Sequence, residues 1–161
     1  MSKNTLQPLS RLALAVFRAN QALLEDGDVL AGGWRLTSAR WKVLGAVVLG
    51  GAPVTVPAVA RLMGLTRQGA QKQLNGLLRD GLVAREENPG DARAPLYQIT
   101  PKGSRVYGEI TSAWNARSER VTRGIDDAAL HAAAETLTRV AVAISADPQP
   151  PAGARRRSSR R

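Results

Sequence analysis

The chain has no cysteine and one histidine, His131. Without thiols it can form no disulfide, thiolate nucleophile or thiol redox switch, and it has no Cys/His set for a structural zinc cluster. A single imidazole leaves most histidine-centred acid–base chemistry unsupported. No apolar run approaches the ~20 residues of a membrane-spanning helix. The opening MSKNTLQPLSR also lacks the basic-then-apolar layout of a secretory leader, so a soluble cytoplasmic protein with no membrane partner is expected. Catalytic signatures are missing too. GLTRQGAQ has two glycines at phosphate-loop spacing but not the Lys-Ser/Thr that must follow, and neither a nucleophile elbow nor HExxH occurs. The reading is of a protein that is not an enzyme and holds no metal or cofactor.

Acidic residues are also in short supply. Lys and Arg number 23 against 13 Asp and Glu, giving a formal charge of +10, which favours an anionic partner such as nucleic acid. Arg155, Arg156, Arg157, Arg160 and Arg161 carry half of that excess. They lie in a Pro-rich, then basic, stretch with nothing to bury, so residues 148–161 are expected to be a disordered basic tail. The remaining residues, 1–147, suffice for one cored domain.

Helical spacing of Leu9, Leu12, Ala13, Val16, Phe17, Leu23 and Leu24 predicts a first amphipathic helix over about 8–25, closed by Gly27, with GDVLAGG as the following loop. Thr37 is placed to cap SARWKVLGAVVL, apolar around most of its circumference and therefore buried. Thr55 caps a short helix that runs to about Met63. Gly64 ends that helix and Thr66 caps the next, from Arg67 to about Asp80, which closes at Gly81. Two helices joined by so short a glycine turn form a helix-turn-helix. LVAREEN and APLYQIT then read as two strands around PGDAR, a hairpin. The fold class is mostly α with a small β-hairpin wing (α+β): a winged helix-turn-helix over about 37–100. Thr100 and Pro101 open a helix with Val106, Ile110, Ala113, Trp114 and Val121 in its stripe. Asp126 opens a last one, with Leu130, Ala133, Leu137, Val140, Ala141 and Ile144 near heptad spacing.

Projected at 100° per residue, the second helix of the pair gathers Ala70, Leu74, Leu77 and Leu78 on one side. Gln68, Lys72, Asn75 and Arg79 fall on the other, with Gly69 and Gly76 beside them. That outward face holds amides and cations and no carboxylate. Gln and Asn bond adenine edges in two places, and Lys and Arg serve guanine edges or phosphates. An ordinary solvated helix face is the bland alternative.

The segment GLTRQGAQKQLNGLLRDGLVAREENPGDARAPLYQITPKG resembles the winged helix of the multiple antibiotic resistance regulator (MarR) family. The resemblance is carried by the LT opening its second helix, the GLV closing it, the D-x-R of the wing and the ITPKG entry into the next helix. The order of elements agrees from about Leu9 to Ile144. The resemblance implies a homodimeric transcription regulator, usually a repressor, on pseudopalindromic double-stranded DNA, released by a small aromatic or anionic effector. It implies dimerisation helices at about 8–25 and 101–146. By position it makes Thr66, Arg67, Gln68, Gln71, Lys72, Asn75 and Arg79 candidate groove and phosphate contacts, Gln71 and Arg67 lying nearer the core in projection. It makes Asp91 the steadying residue of the wing and Arg93 its minor-groove residue. Ala92 stands where many relatives carry another Arg. Trp34, Arg40 and Trp41 fall near the family's effector pocket, although core or interface packing explains either Trp equally. The lack of Cys excludes the thiol-oxidation branch of the family, and His131 alone does not supply a zinc-responsive site. The alternative is a winged helix that contacts protein, or binds nucleic acid nonspecifically through its Arg-rich tail.

Overall fold

The computed structural model describes residues 7–147; the basic tail expected over 148–161 lies outside them. The order of elements is α1 (Pro8–Gly32), α2 (Ser38–Leu49), β1 (Val54–Thr55), α3 (Val56–Met63), α4 (Arg67–Arg79), β2 (Val83–Glu86), β3 (Leu96–Ile99), α5 (Pro101–Val121) and α6 (Asp127–Ala146). This is the mostly helical winged helix-turn-helix that the sequence predicts. The chain divides after Arg117 into two compact units, the second beginning at Ser118.

In the first unit, α1 departs from expectation. It does not stop at Gly27 but runs on to Gly32, so most of the predicted loop is helical. Gly27 is buried, and a Cβ there would lie 2.9 Å from Ser38 Cβ. The glycine permits a close approach to the first turn of α2 rather than ending a helix. The chain turns after Gly33, with Arg35 at φ 58°.

The threonine caps form as their spacing predicts. Thr37 Oγ1 accepts from Arg40 N, Thr55 Oγ1 from Ala58 N, and Thr66 Oγ1 from Gly69 N at 3.0 Å. Each satisfies an amide that the first helical turn leaves without a partner. Gly64 takes φ 62° between α3 and α4, and Gly81 takes φ 70° after α4, conformations that favour glycine. The core packs Val43 and Leu44 of α2, Val59 of α3, and Ala70, Leu74 and Leu77 of α4 with Tyr97 and Ile110. Leu78, expected on that inner side, is 37% exposed.

The wing is part of a three-stranded antiparallel sheet in the order β1-β3-β2, with Val54 opposite Tyr97 and Arg85 opposite Tyr97 on its other side. The expected hairpin forms from β2 and β3, and the two-residue β1 adds a third strand that is too short to show alternation in the sequence. Thr100 Oγ1 accepts from Gly103 N at 3.0 Å and opens α5. A Cβ at Gly103 would fall 2.0 Å from the Leu82 carbonyl oxygen, so only glycine lets α5 start this close to β2.

In the second unit, α6 starts after Asp126, which holds the N-cap position without a side-chain capping bond. None of its residues is buried, and Leu130, Leu137, Val142 and Ile144 are exposed.

Candidate nucleic-acid interface

Burial of Ala70, Leu74 and Leu77 fixes the rotation of α4 and turns its polar side outward. Arg67, Gln68, Lys72, Asn75 and Arg79 are exposed, and Gln71 is half-buried. Arg67 therefore lies further out than its projected place. Thr66 is exposed too, but its hydroxyl caps the helix. The helix carries no acidic residue before its C-cap, Asp80.

The wing loop is built on its own side chains. Asn88 Oδ1 accepts from Gly90 N at 3.0 Å and Asn88 Nδ2 donates to the Ala94 carbonyl at 2.9 Å, closing the loop across its base. Asp91 Oδ1 accepts from Arg93 N at 3.0 Å, an Asx turn that engages one carboxylate oxygen inside the loop. Arg93 itself is exposed. Arg67, Gln68 and Gln71 of α4 meet Asp91 and Arg93 around one groove of about 490 Å3, completed by Val56, Pro57, Ala94 and Pro95. Lys72, Asn75 and Arg79 lie outside that groove, further along α4.

The suggested effector residues separate. Trp34 and Arg40 line a cleft of about 520 Å3 with Arg35, Leu36, Asp80, Leu82, Lys102 and Val106. Trp41 does not. It packs edge-on against Trp114, ring centroids 5.6 Å apart at 64°, an aromatic contact that binds the helices together. Within the cleft, Arg40 Nη1 meets Asp80 Oδ2 at 2.9 Å and Lys102 Nζ donates to the Asp80 carbonyl at 2.8 Å. Trp34 Nε1 donates to Glu109 Oε2 at 2.7 Å.

A sequence description of the MarR family matches residues 36–94, from the end of the α1–α2 turn to the base of the wing. Over 139 residues the chain is 36% identical to an uncharacterised protein of Mycobacterium tuberculosis, covering 86% of this chain and 96% of that one; an uncharacterised protein of Mycobacterium bovis matches equally. The fold is similar to that of a MarR-family transcriptional regulator from Rhodococcus, at TM-score 0.75 and 22% identity, covering 85% of this chain and 96% of the other. It is also similar to a mutant MarR from E. coli complexed with operator DNA, at TM-score 0.72 and 19% identity, covering 81% and 93%. The regulator MosR of M. tuberculosis, in complex with DNA, gives TM-score 0.69 at 23% identity, covering 82% and 96%. The chain belongs to the MarR family. It is accordingly a winged helix-turn-helix regulator and not an enzyme.

Three features of this MarR-family chain escape a reading of its sequence. Gly76, projected outward beside the groove-facing residues, is buried: a Cβ there would lie 2.9 Å from Arg40 Nε and Nη2. It makes room for the guanidinium that pairs with Asp80 instead of opening the helix toward a ligand. Asn88 closes the wing, yet between Glu87 and Pro89 it reads as generic turn composition; its spacing to Gly90 is the only local signal. Arg35 and Lys102 of the cleft come from segments far apart in the chain, which no local pattern connects.

Proposed function

We propose that this MarR-family chain is a transcription regulator that binds double-stranded DNA sequence-specifically as a homodimer, a repressor released by a small aromatic or anionic effector. The observation that carries the reading is the groove shared by α4 and the wing, where Arg67, Gln68 and Gln71 face Asp91 and Arg93 in a chain of charge +10. A capped helix with exposed amides and cations suits the major groove, and a lone exposed guanidinium on a wing suits a narrow minor groove, whose negative potential attracts it. Gln68, Lys72 and Asn75 are the base-reading candidates. Thr66, Arg67 and Arg79 supply further groove and phosphate contacts, Gln71 lines the groove beside them, and Asp91 steadies Arg93. Relatives of the same fold have been captured on DNA, MarR with its operator and MosR with DNA.

Residues 37–100 form the DNA-reading part of a single domain over 1–147, and helices within 8–25 and 101–146 dimerise. The apolar side chains that α1 and α6 leave exposed, Phe17 and Val142 among them, support that division. The cleft holding Trp34, Arg40 and Lys102 is the effector site, its cations suited to a carboxylate and its indole to an aromatic ring. Trp41, already packed on Trp114, is not included in it. The protein acts in the cytoplasm, on the nucleoid when bound.

The test is a titration against duplexes selected from random sequence and against scrambled controls, over a range of salt, with and without residues 148–161. Sequence preference that persists without the tail supports the reading. Equal affinity for both duplexes, with a flatter salt dependence once the tail is gone, would instead make the tail the source of nonspecific binding.

A further inference from the structure

Tyr97 is a core residue of β3, 1% exposed, yet its hydroxyl reaches α4. Gln71 Nε2 donates to Tyr97 Oη at 3.0 Å, and the same nitrogen donates to Asn75 Oδ1, one turn on, at 2.8 Å. A primary amide nitrogen carries two hydrogens, so both donors of Gln71 are engaged, one of them by a buried phenol on another element. Asn75 is exposed. With its Oδ1 turned back toward Gln71, it offers its NH2 group outward.

We infer that Tyr97 and Gln71 are positioning residues that hold Asn75 as a hydrogen-bond donor, so that Asn75 selects guanine over adenine at its base pair. Guanine presents two acceptors, N7 and O6, in the major groove, whereas adenine presents an acceptor and a donor, and pairing with both requires the asparagine oxygen as well as its nitrogen. Here the oxygen faces along the helix. The relay thus sets which base an asparagine reads, which the residue type alone leaves open. It also ties that choice to the sheet, because β3 carries the wing and the anchoring phenol together. The inference rests on the DNA-reading function proposed above and adds to it the base class at one position.

The experiment is selection from a randomised duplex pool by the full-length protein and its variants, scored column by column. Asn75→Ala locates the base pair concerned, whose preference it abolishes. Wild type is expected to favour guanine over adenine there by about tenfold. Tyr97→Phe keeps the buried ring and removes only the hydroxyl, and is expected to reduce that preference to about threefold or less with the other columns unchanged. Gln71→Glu is the second variant. A carboxylate only accepts, so Tyr97 and Asn75 must donate to it, Asn75 turns its oxygen outward, and the preference swings to adenine while overall affinity falls. Thermal unfolding confirms that each variant is folded. A Tyr97→Phe profile identical to wild type, a Gln71→Glu profile that keeps guanine, or no column altered by Asn75→Ala would each overturn the inference while leaving DNA reading intact. Failure of wild type to enrich any sequence would overturn the DNA-reading function itself.

Discussion

Arg93 is held through its backbone: the Asp91 carboxylate accepts its N–H, which fixes the loop, while its side chain is exposed. Arg93→Ala should weaken operator binding roughly tenfold and lower the slope of log affinity against log salt by about one. Thermal stability should not change, because the side chain is exposed; operator affinity equal to wild type would remove the minor-groove role. Gly76 and Arg40 call for a different test. Glycine inside a helix costs about 1 kcal/mol relative to alanine, but here a Cβ would meet the Arg40 guanidinium at 2.9 Å. Displacing it breaks the half-exposed pair with Asp80, worth ~0.2–1 kcal/mol. Gly76→Ala should therefore be close to neutral in the wild-type background and stabilising by about 1 kcal/mol in Arg40→Ala. Urea unfolding of the four proteins measures the coupling; equal effects in both backgrounds would mean that Arg40 is not what keeps the position glycine.

Among the elements, α2 is capped from two sides. Thr37 bonds an amide three residues on, and Asp28, at the far end of α1, accepts from Ser38 N at 2.6 Å. That backbone bond, helped by one from the Ser38 hydroxyl, lowers the Asp28 pKa below its ordinary value. A carboxylate whose folded pKa is depressed adds stability that is complete above the unfolded value, near 3.9, and vanishes as pH falls through the folded one. Wild type should consequently lose more of its thermal midpoint than Asp28→Asn between about pH 5 and pH 2; parallel curves would show that Asp28 does not hold the start of α2. The contrast also explains what the sequence makes visible. Thr37, Thr55 and Thr66 are legible because cap and amide are three residues apart. The Asp28 bond spans ten residues and two helices, so no local pattern carries it. Gly27 misleads for a related reason: a glycine needed for positive φ and one needed for close packing are the same letter, and only the position of Ser38 distinguishes them. Gly64 and Gly81, each just before or after a helix with its own cap, are read correctly.

For the whole molecule, the groove between α4 and the wing was legible because its polar residues, Arg67 to Arg93, come from two consecutive parts of the chain and match a family pattern. The cleft around Arg40 was legible only in part, since Arg35 and Lys102 enter it from opposite ends of the winged region. The least local of the proposed properties is association. Along α1, Leu9, Leu14, Phe17 and Leu23 are exposed, Phe17 at 67%, and α6 adds Leu130, Leu137, Val142 and Ile144. Apolar surface of this kind, recurring along two helices, favours burial against a partner. Fully burying one such side chain stabilises by ~1.5–3 kcal/mol, and in a two-fold dimer each counts twice. Phe17→Glu replaces that gain with a charge that must be desolvated twice, so the dimer dissociation constant should rise at least tenfold. Because Phe17 is outside the core, helical circular dichroism should persist while the mass by light scattering falls toward one chain. Operator affinity should fall with it, since two recognition helices about 34 Å apart require the two-fold arrangement. A Phe17→Glu protein that remains dimeric would take the middle of α1 out of the interface, and one that becomes monomeric yet binds the operator unchanged would separate DNA reading from dimerisation.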